Sequence, residues 1–341
     1  MSEKIGVIGA GSWGTALAVH FAGAGGHAVR LWARHPELVA RMAAERCNPD
    51  YLPGVTLPPN LDPTADLRAV AECDLIHVVV PSHGFREVLR QFLTICREHP
   101  AGKPVSLISG TKGIEIESLA RMSQVAAEEG AAAGCAVRFA VLSGPTFAAE
   151  LARNVPSAAV VASGDAGYAT EVRQALATPT LRLYSSSDVV GVELGGAVKN
   201  VIAIAAGALS GLGLGHNTLA ALITRGLHEM TRLGIAYGGD PRTFAGLAGL
   251  GDLVLTCTGG LSRNRQTGLD LAAGKTVAEI TSGHTVSEGI RNSIAVSRLA
   301  AARGVEMPIT RQMVAVMHEG KDPRRAVEEL MTRELKSEAE L

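Results

Sequence analysis

Through the first half of the chain, short apolar runs alternate with stretches whose apolar residues recur at helical spacing. The runs at Lys4–Ile8, Ala28–Leu31, Leu75–Val80, Val105–Ile108 and Phe139–Leu142 predict strands, and Ala158–Ala162 and Leu181–Tyr184 predict two more. Strands that are apolar on both faces and separated by helices fit a mostly parallel sheet covered on both sides, an α/β doubly wound arrangement. Near residue 188 the pattern changes. From Val189 onward, Ala/Leu/Val/Ile-rich helical segments dominate and no strand is predicted. The reading is therefore residues 1–188 as an α/β domain and residues 189–341 as an all-helical domain. The charged tail from Arg333 to Leu341 is expected to fray.

Composition narrows the function classes. The 341 residues carry 32 Lys+Arg against 33 Asp+Glu, and 47% are hydrophobic against 19% charged. That balance excludes a disordered chain and gives no support for broad nucleic-acid or membrane-surface binding. The five cysteines form no C-x-x-C pair and the ten histidines no H-E-x-x-H, so neither a disulfide framework nor a metal site is expected. Met1-Ser2-Glu3-Lys4 runs straight into a strand, with no signal peptide. The most apolar helical stretch, Val201 to Gly215, is interrupted by Gly207, Ser210, Gly211 and Gly213 and reads as too short to span a bilayer. These features predict a soluble cytoplasmic protein without membrane insertion.

Gly9-Ala10-Gly11-Ser12-Trp13-Gly14 follows the first strand and opens a helix. In G-x-G-x-x-G the first glycine permits the tight turn. The second lets backbone N–H groups approach a pyrophosphate, and the third lets helix and strand pack closely. Gly9, Gly11, Ser12, Trp13 and Gly14 are thus candidate dinucleotide contacts on a Rossmann-type domain. At the end of the second strand, where an acid often holds the ribose of NAD, the chain reads Ala33-Arg34-His35. Arg34 can pair with a 2′-phosphate, which weights the cofactor toward NADPH over NADH.

Three further strand ends carry small or polar turns: Pro81-Ser82, Ser109-Gly110-Thr111-Lys112-Gly113 and Ser143-Gly144-Pro145-Thr146. Ligands bind outside the carboxyl ends of parallel strands, so the three predict one crevice, with Lys112 as its cation. In the helical half, Lys199 interrupts an otherwise apolar helix. Its neighbours Val198, Val201, Ile202 and Ala203 leave little solvent-facing room. Burial would lower its pKa toward proton transfer, or the lysine would sit in a buried salt bridge. Asp252, in Gly249-Leu250-Gly251-Asp252, either orients Lys199, accepts a substrate hydroxyl or caps a helix. Ser262-Arg263-Asn264-Arg265 is either a capped helix start or a phosphate site. Glu288, beside Gly289, is a candidate cofactor contact.

These stretches together resemble the bacterial NAD(P)-dependent glycerol-3-phosphate dehydrogenases. The matching segments are GAGSWGTA (9–16), NPDYLPG (48–54), VVVPSH (78–83), TKGIE (111–115), SGPTFAAE (143–150), VELGGAVKNVIAIAAG (192–207), ALITRGL (221–227), GLGDLVLTCT (249–258), SRNRQTG (262–268) and VEMPIT (305–310). They are colinear and span nearly the whole chain. One departure is Val286-Ser287-Glu288-Gly289, where V-V-E-G or V-E-G is common in the family. The resemblance implies an N-terminal Rossmann-type domain, an all-helical C-terminal domain and catalysis in the cleft between them. It implies reversible reduction of dihydroxyacetone phosphate to sn-glycerol 3-phosphate for phospholipid synthesis. It also implies Lys199 as proton donor and acceptor. Lys112, Gly144, Thr146, Asp252, Ser262, Arg263 and Asn264 would line the substrate with it. Ser12, Trp13, Arg34, Lys112, Ala148, Arg263 and Glu288 would contact the cofactor. A homodimer is compatible with the apolar helical half. The competing expectations are a β-hydroxyacid-type dehydrogenase of the same architecture and a non-catalytic nicotinamide sensor.

Overall fold

The computed structural model describes residues 3–98, 104–282, 287–335 and 337–338. The chain divides into two compact units, Met1–Lys112 with Ala120–Val189, and Gly113–Leu119 with Val190–Leu341.

Among the described residues the first unit has ten strands: β1 (Lys4–Ile8), β2 (Ala28–Trp32), β3 (Cys47–Asn48), β4 (Leu52–Thr56), β5 (Leu61–Thr64), β6 (Leu75–Val78), β7 (Val105–Ser109), β8 (Val137–Ser143), β9 (Ser157–Ala162) and β10 (Leu181–Ser186). Eight of them form one sheet in the order β10-β9-β8-β7-β6-β1-β2-β5, and β3 and β4 form a separate hairpin. Every pairing in the large sheet is parallel except β8 with β9. From β1 the chain builds outward through β2 and β5, then returns to the other side of β1 as β6, β7 and β8. The strand order therefore reverses between β1 and β6, the place where open α/β sheets bind ligands. Successive strand residues face opposite sides, as the pleat requires. Val7 and Ile108 join a core under the Ser12–Gly23 helix with Leu17 and Phe21. Ile8 and Leu107 join a second core with Phe85 and Phe92 of the Ser82–Glu98 helix.

The hydrophobic pattern missed β3, β4 and β5. Pro63 interrupts β5, and a proline inside a run argues against a strand unless the strand is an edge. β5 is such an edge, paired among the described residues with β2 alone.

A single cut at 188 also misplaces residues 113–119, which belong to the second unit. Apolar burial explains the excursion. Ile114 is fully buried in the helical core, and Ile116 and Leu119 pack against it. The Ile114 N–H donates to Asn292 Oδ1 at 3.4 Å.

The second unit contains no strand among its described residues. Its central helix, Val189–Gly211, is longer than the sequence pattern suggests. Gly207 does not break it. A Cβ on Gly207 would lie 1.9 Å from the Arg265 carbonyl oxygen, and one on Gly268 would lie 1.9 Å from that of Ile204. The two glycines let this helix touch the Arg263–Ala272 helix backbone to backbone. By length and composition alone the 23-residue helix could cross a bilayer, but 89% of its most apolar window is buried inside the protein, which makes it a core helix. Of the charged tail, Lys336 and residues 339–341 lie outside the described residues, and Glu338 pairs with Arg225.

One buried carboxyl in this unit substitutes for a missing helix cap. The Pro308–His318 helix has no side-chain cap of its own. Glu229, 2% exposed on the His216–Ala236 helix, accepts from the N–H groups of Ile309 and Thr310 and from the Thr310 hydroxyl. Burial outweighs these donors and pushes its pKa from 4.5 up to about 7. The folded state then holds the proton more tightly than the unfolded chain. That contribution is fully present below pH 4.5 and is lost as pH rises through about 7. Glu229→Gln, which keeps an acceptor and cannot titrate, is expected to remove a loss of roughly 2–3 kcal/mol between pH 5 and 8, a linkage difference. Urea unfolding of both proteins at the two pH values measures it, and parallel behaviour would refute it.

Candidate functional site

The carboxyl ends of β8, β7, β6 and β1 are neighbours at one edge of the sheet. The glycine loop leaves β1 there. Gly9 has φ +118°, a conformation that excludes other residues, and a Cβ on it would lie 2.6 Å from the Val79 carbonyl oxygen. A Cβ on Gly14 would lie 1.9 Å from the Gly9 carbonyl oxygen, so the helix can start this close to the strand only with glycine. Gly11 faces open space, with nothing within 4 Å of a Cβ position. The Ser12–Gly23 helix begins there without a side-chain cap, leaving its first N–H groups for a ligand. Trp13 Nε1 is buried with no hydrogen-bond partner among the described residues. An open second glycine, an uncapped helix start and an orphaned indole N–H fit a bound dinucleotide.

The other turns converge on the same edge. Thr111 Oγ1 donates to the Val80 carbonyl at 2.7 Å, tying the β7 turn to the β6 turn. Lys112 Nζ donates to the Gly144 carbonyl at 3.2 Å, and so does Thr146 Oγ1 at the same distance. Lys112, Gly144 and Thr146 therefore form one cluster. Ala148 is half-buried at the start of the short Ala148–Leu151 helix that follows. Arg34, after β2, is exposed.

In the helical unit, Lys199 is 5% exposed and Asp252 1%. Their side chains form a salt bridge, and Lys199 Nζ also donates to Thr256 Oγ1 at 3.0 Å. The Thr256 hydroxyl gives its own hydrogen to the Asp252 carbonyl at 2.6 Å, which leaves its lone pairs toward the lysine. A π-helical turn, Leu247–Gly251, leads into Asp252, the first residue of the Asp252–Thr258 helix. Glycines hold that turn in place. A Cβ on Gly249 would lie 2.1 Å from the Phe244 carbonyl oxygen, and one on Gly195 would lie 2.8 Å from that of Ala248. The turn is thereby pressed against the lysine's helix. π-Turns concentrate at functional sites, and this one sets where the carboxylate points. A buried lysine held by Asp252 and Thr256 can donate a proton as the ammonium and take it back as the neutral amine without reorganising its surroundings.

Ser262 caps the Arg263–Ala272 helix, its Oγ accepting from the Arg265 N–H at 3.1 Å, and Arg263 is exposed at the first helical position. Asn264 is more committed than the sequence suggests. Its Oδ1 accepts from Ser287 Oγ at 2.6 Å and from the Gly289 N–H at 3.0 Å, and its Nδ2 donates to Asn200 Oδ1 at 2.9 Å. One amide hydrogen is left for a ligand. Asn264 so ties the residue after Lys199 to the two residues flanking Glu288, which begins the Glu288–Ala302 helix. Val286, part of the departure from the family pattern, lies outside the described residues. Sequence reasoning missed Thr256 and Asn200. The i,i+4 spacing of Asp252 and Thr256 was the available signal for the first. Among the described residues no group of three or more His, Cys, Asp or Glu could hold a metal ion, and all five cysteines are free.

A dinucleotide cradle on a Rossmann-type unit and a buried lysine–carboxylate pair in a helical unit define the class of two-domain nicotinamide-dependent dehydrogenases. Comparison with known proteins narrows the class. The model of the NAD-dependent glycerol-3-phosphate dehydrogenase N-terminus matches residues 4–169, and that of the C-terminus matches residues 188–328. Curated glycerol-3-phosphate dehydrogenases [NAD(P)+] of Geobacter sulfurreducens and Geobacter metallireducens are 51% and 53% identical, each comparison covering 99% of both chains. The crystal structure of glycerol-3-phosphate dehydrogenase from Coxiella burnetii superposes with a TM-score of 0.90 at 41% identity, covering 97% of this chain and 99% of that one. The chain belongs to the NAD-dependent glycerol-3-phosphate dehydrogenase family.

Proposed function

We propose that this protein reversibly reduces dihydroxyacetone phosphate to sn-glycerol 3-phosphate with NADPH or NADH, supplying glycerophospholipid synthesis. The observation that carries the reading is Lys199, buried and held by Asp252 and Thr256, in a chain of this family. The bound nicotinamide supplies the hydride. Lys199 Nζ stabilises the charge that develops on the substrate's C2 oxygen and gives it a proton; in the oxidative direction it takes the proton back. Asp252 and Thr256 keep the ammonium on one line of approach. Ser262, the exposed Arg263 and the remaining amide hydrogen of Asn264 bind the phosphate, and that binding fixes C2 against the cofactor. Lys112, with Gly144 and Thr146, contributes a second cation and a polar turn to the substrate. Gly9, Gly11, Ser12, Trp13 and Gly14 bind the pyrophosphate half of the cofactor. Ala148, Lys112, Arg263 and Glu288 complete its contacts.

In this reading Arg34 makes NADPH the preferred cofactor, because Ala33-Arg34-His35, directly after β2, offers a cation and no carboxylate for a free ribose hydroxyl. Arg34→Ala is expected to raise KM for NADPH roughly tenfold, the worth of one charge-assisted contact, and to leave KM for NADH nearly unchanged. Equal effects on both would refute the assignment. The protein is read as a soluble cytoplasmic enzyme, and its helical unit admits a homodimer.

The deciding experiment is nicotinamide oxidation by the purified protein with dihydroxyacetone phosphate, run in parallel with NADPH and NADH. No turnover with either, in folded protein that binds NADPH, would overturn the substrate. The β-hydroxyacid-type alternative would favour a carboxylate substrate over a phosphate. It is not favoured, because the relatives that match the full chain at about half identity are named for glycerol 3-phosphate.

A further inference from the structure

The segment NPDYLPG (48–54) takes no part in the chemistry above. Its first residue, Asn48, is fully buried at 0% exposure and lies in β3, where the hairpin with β4 carries it to the glycine loop. All three polar groupings of the amide are used. Oδ1 accepts from the Tyr51 N–H at 3.2 Å, within the turn of the hairpin. Nδ2 donates to the Ala10 carbonyl at 2.8 Å and to Thr15 Oγ1 at 2.8 Å. The Tyr51 N–H requires an acceptor, so it fixes which end of the amide faces the loop.

Ala10 is the variable residue between the first two glycines. The described residues contain no cis peptide bond, so the Ala10–Gly11 peptide is planar and trans and its C=O and N–H point in opposite directions. Turning the Ala10 carbonyl inward to Asn48 therefore turns the Gly11 N–H the opposite way, away from Asn48. With glycine at both ends of Ala10, the loop has little stiffness of its own to hold that peptide against rotation.

We infer that Asn48 is a positioning residue for the dinucleotide, presetting the peptide whose N–H meets the pyrophosphate. The inference rests on the proposed cofactor role of the glycine loop. It assigns the hairpin a task that either nicotinamide cofactor would feel equally, because the pyrophosphate is common to both.

The test is fluorescence titration of NADPH and NADH into the purified protein and into Asn48→Ala and Asn48→Asp, with thermal melts and steady-state kinetics alongside. Aspartate retains the acceptor for Tyr51 and loses both donors. Both variants are expected to raise Kd for NADPH and NADH by the same factor, roughly tenfold, the size of one lost buried hydrogen bond in an oriented site. kcat at saturating cofactor and KM for dihydroxyacetone phosphate should stay within about twofold. Thr15→Val removes the other acceptor of the amide and spares Ala10, so it should lower the melting temperature without raising Kd. Three results would overturn the inference: Kd unchanged in folded Asn48 variants, a Thr15→Val effect on Kd as large as that of Asn48→Ala, or failure of both Asn48 variants to fold. Absence of NADPH binding by the wild-type protein would instead defeat the cofactor reading itself.

Discussion

Lys199→Met is expected to lower kcat for dihydroxyacetone phosphate reduction at least about 100-fold, the usual cost of losing a positioned general acid. Methionine matches the lysine stem in length and fills the same apolar path, so packing changes little. What disappears is the proton and the positive charge at the C2 oxygen. A solvent molecule is poorly placed to replace them, because Lys199 is 5% exposed, and the two groups that hold it, Asp252 and Thr256, are an acceptor and a hydroxyl already bonded to backbone. NADPH affinity should stay within about twofold, since Lys199 is not among the residues proposed to bind the cofactor. The split between kcat and cofactor Kd distinguishes catalysis from a purely structural ion pair. A structural lysine would cost stability and spare turnover. Activity at a tenth of wild type or more, in folded protein, would sink Lys199 as the proton carrier.

What the sequence revealed and what it hid divide along the range of the interactions. The glycine loop and the parallel strands were legible because their signals are local: a spacing of three glycines, and short apolar runs. Lys199 was legible as a charge in an apolar helix. For Asp252 the pairing with Lys199 is realised and the cap is not: Gly251 is the N-cap of the Asp252–Thr258 helix, and no side chain caps it. Features that depend on distant partners were not legible. Gly207 reads as a helix breaker on local propensity, and only Arg265 and Gly268 on another helix show that it is a contact. Residues 113–119 read as part of the sheet unit, and their partners Asn292 and Arg298 lie about 180 positions away in sequence. Asn264 reads as a ligand residue, yet most of its hydrogen-bonding capacity is spent on Asn200, Ser287 and Gly289. A sequence motif records that a side chain is needed without saying which neighbour needs it.

Removing the partner of Lys199 is expected to cost more stability than removing both members of the pair. Asp252→Ala leaves an ammonium in a site where the carboxylate was 1% exposed, with Thr256 Oγ1 accepting from it at 3.0 Å. Breaking a buried ion pair by deleting one side destabilises by about 3–5 kcal/mol, because the surviving charge keeps its desolvation cost and loses its compensation. Lys199→Met with Asp252→Leu removes both charges and returns apolar volume. That double variant should recover a large part of the loss, although it has no activity. Urea midpoints of wild type, Lys199→Met, Asp252→Leu and the double variant close the cycle, and a coupling of roughly 2 kcal/mol or more is expected for residues in direct contact. Additive losses would mean that the two side chains do not form the buried pair that the proposed chemistry requires. Asp252→Asn separates charge from shape: its amide oxygen can still accept from Lys199 Nζ, so most of the stability should survive. The carboxylate charge that holds the ammonium is gone, so kcat should fall and the pH dependence of turnover should move to lower pH. A kcat and pH profile identical to wild type in Asp252→Asn would show that the carboxylate charge has no part in setting the lysine's proton affinity.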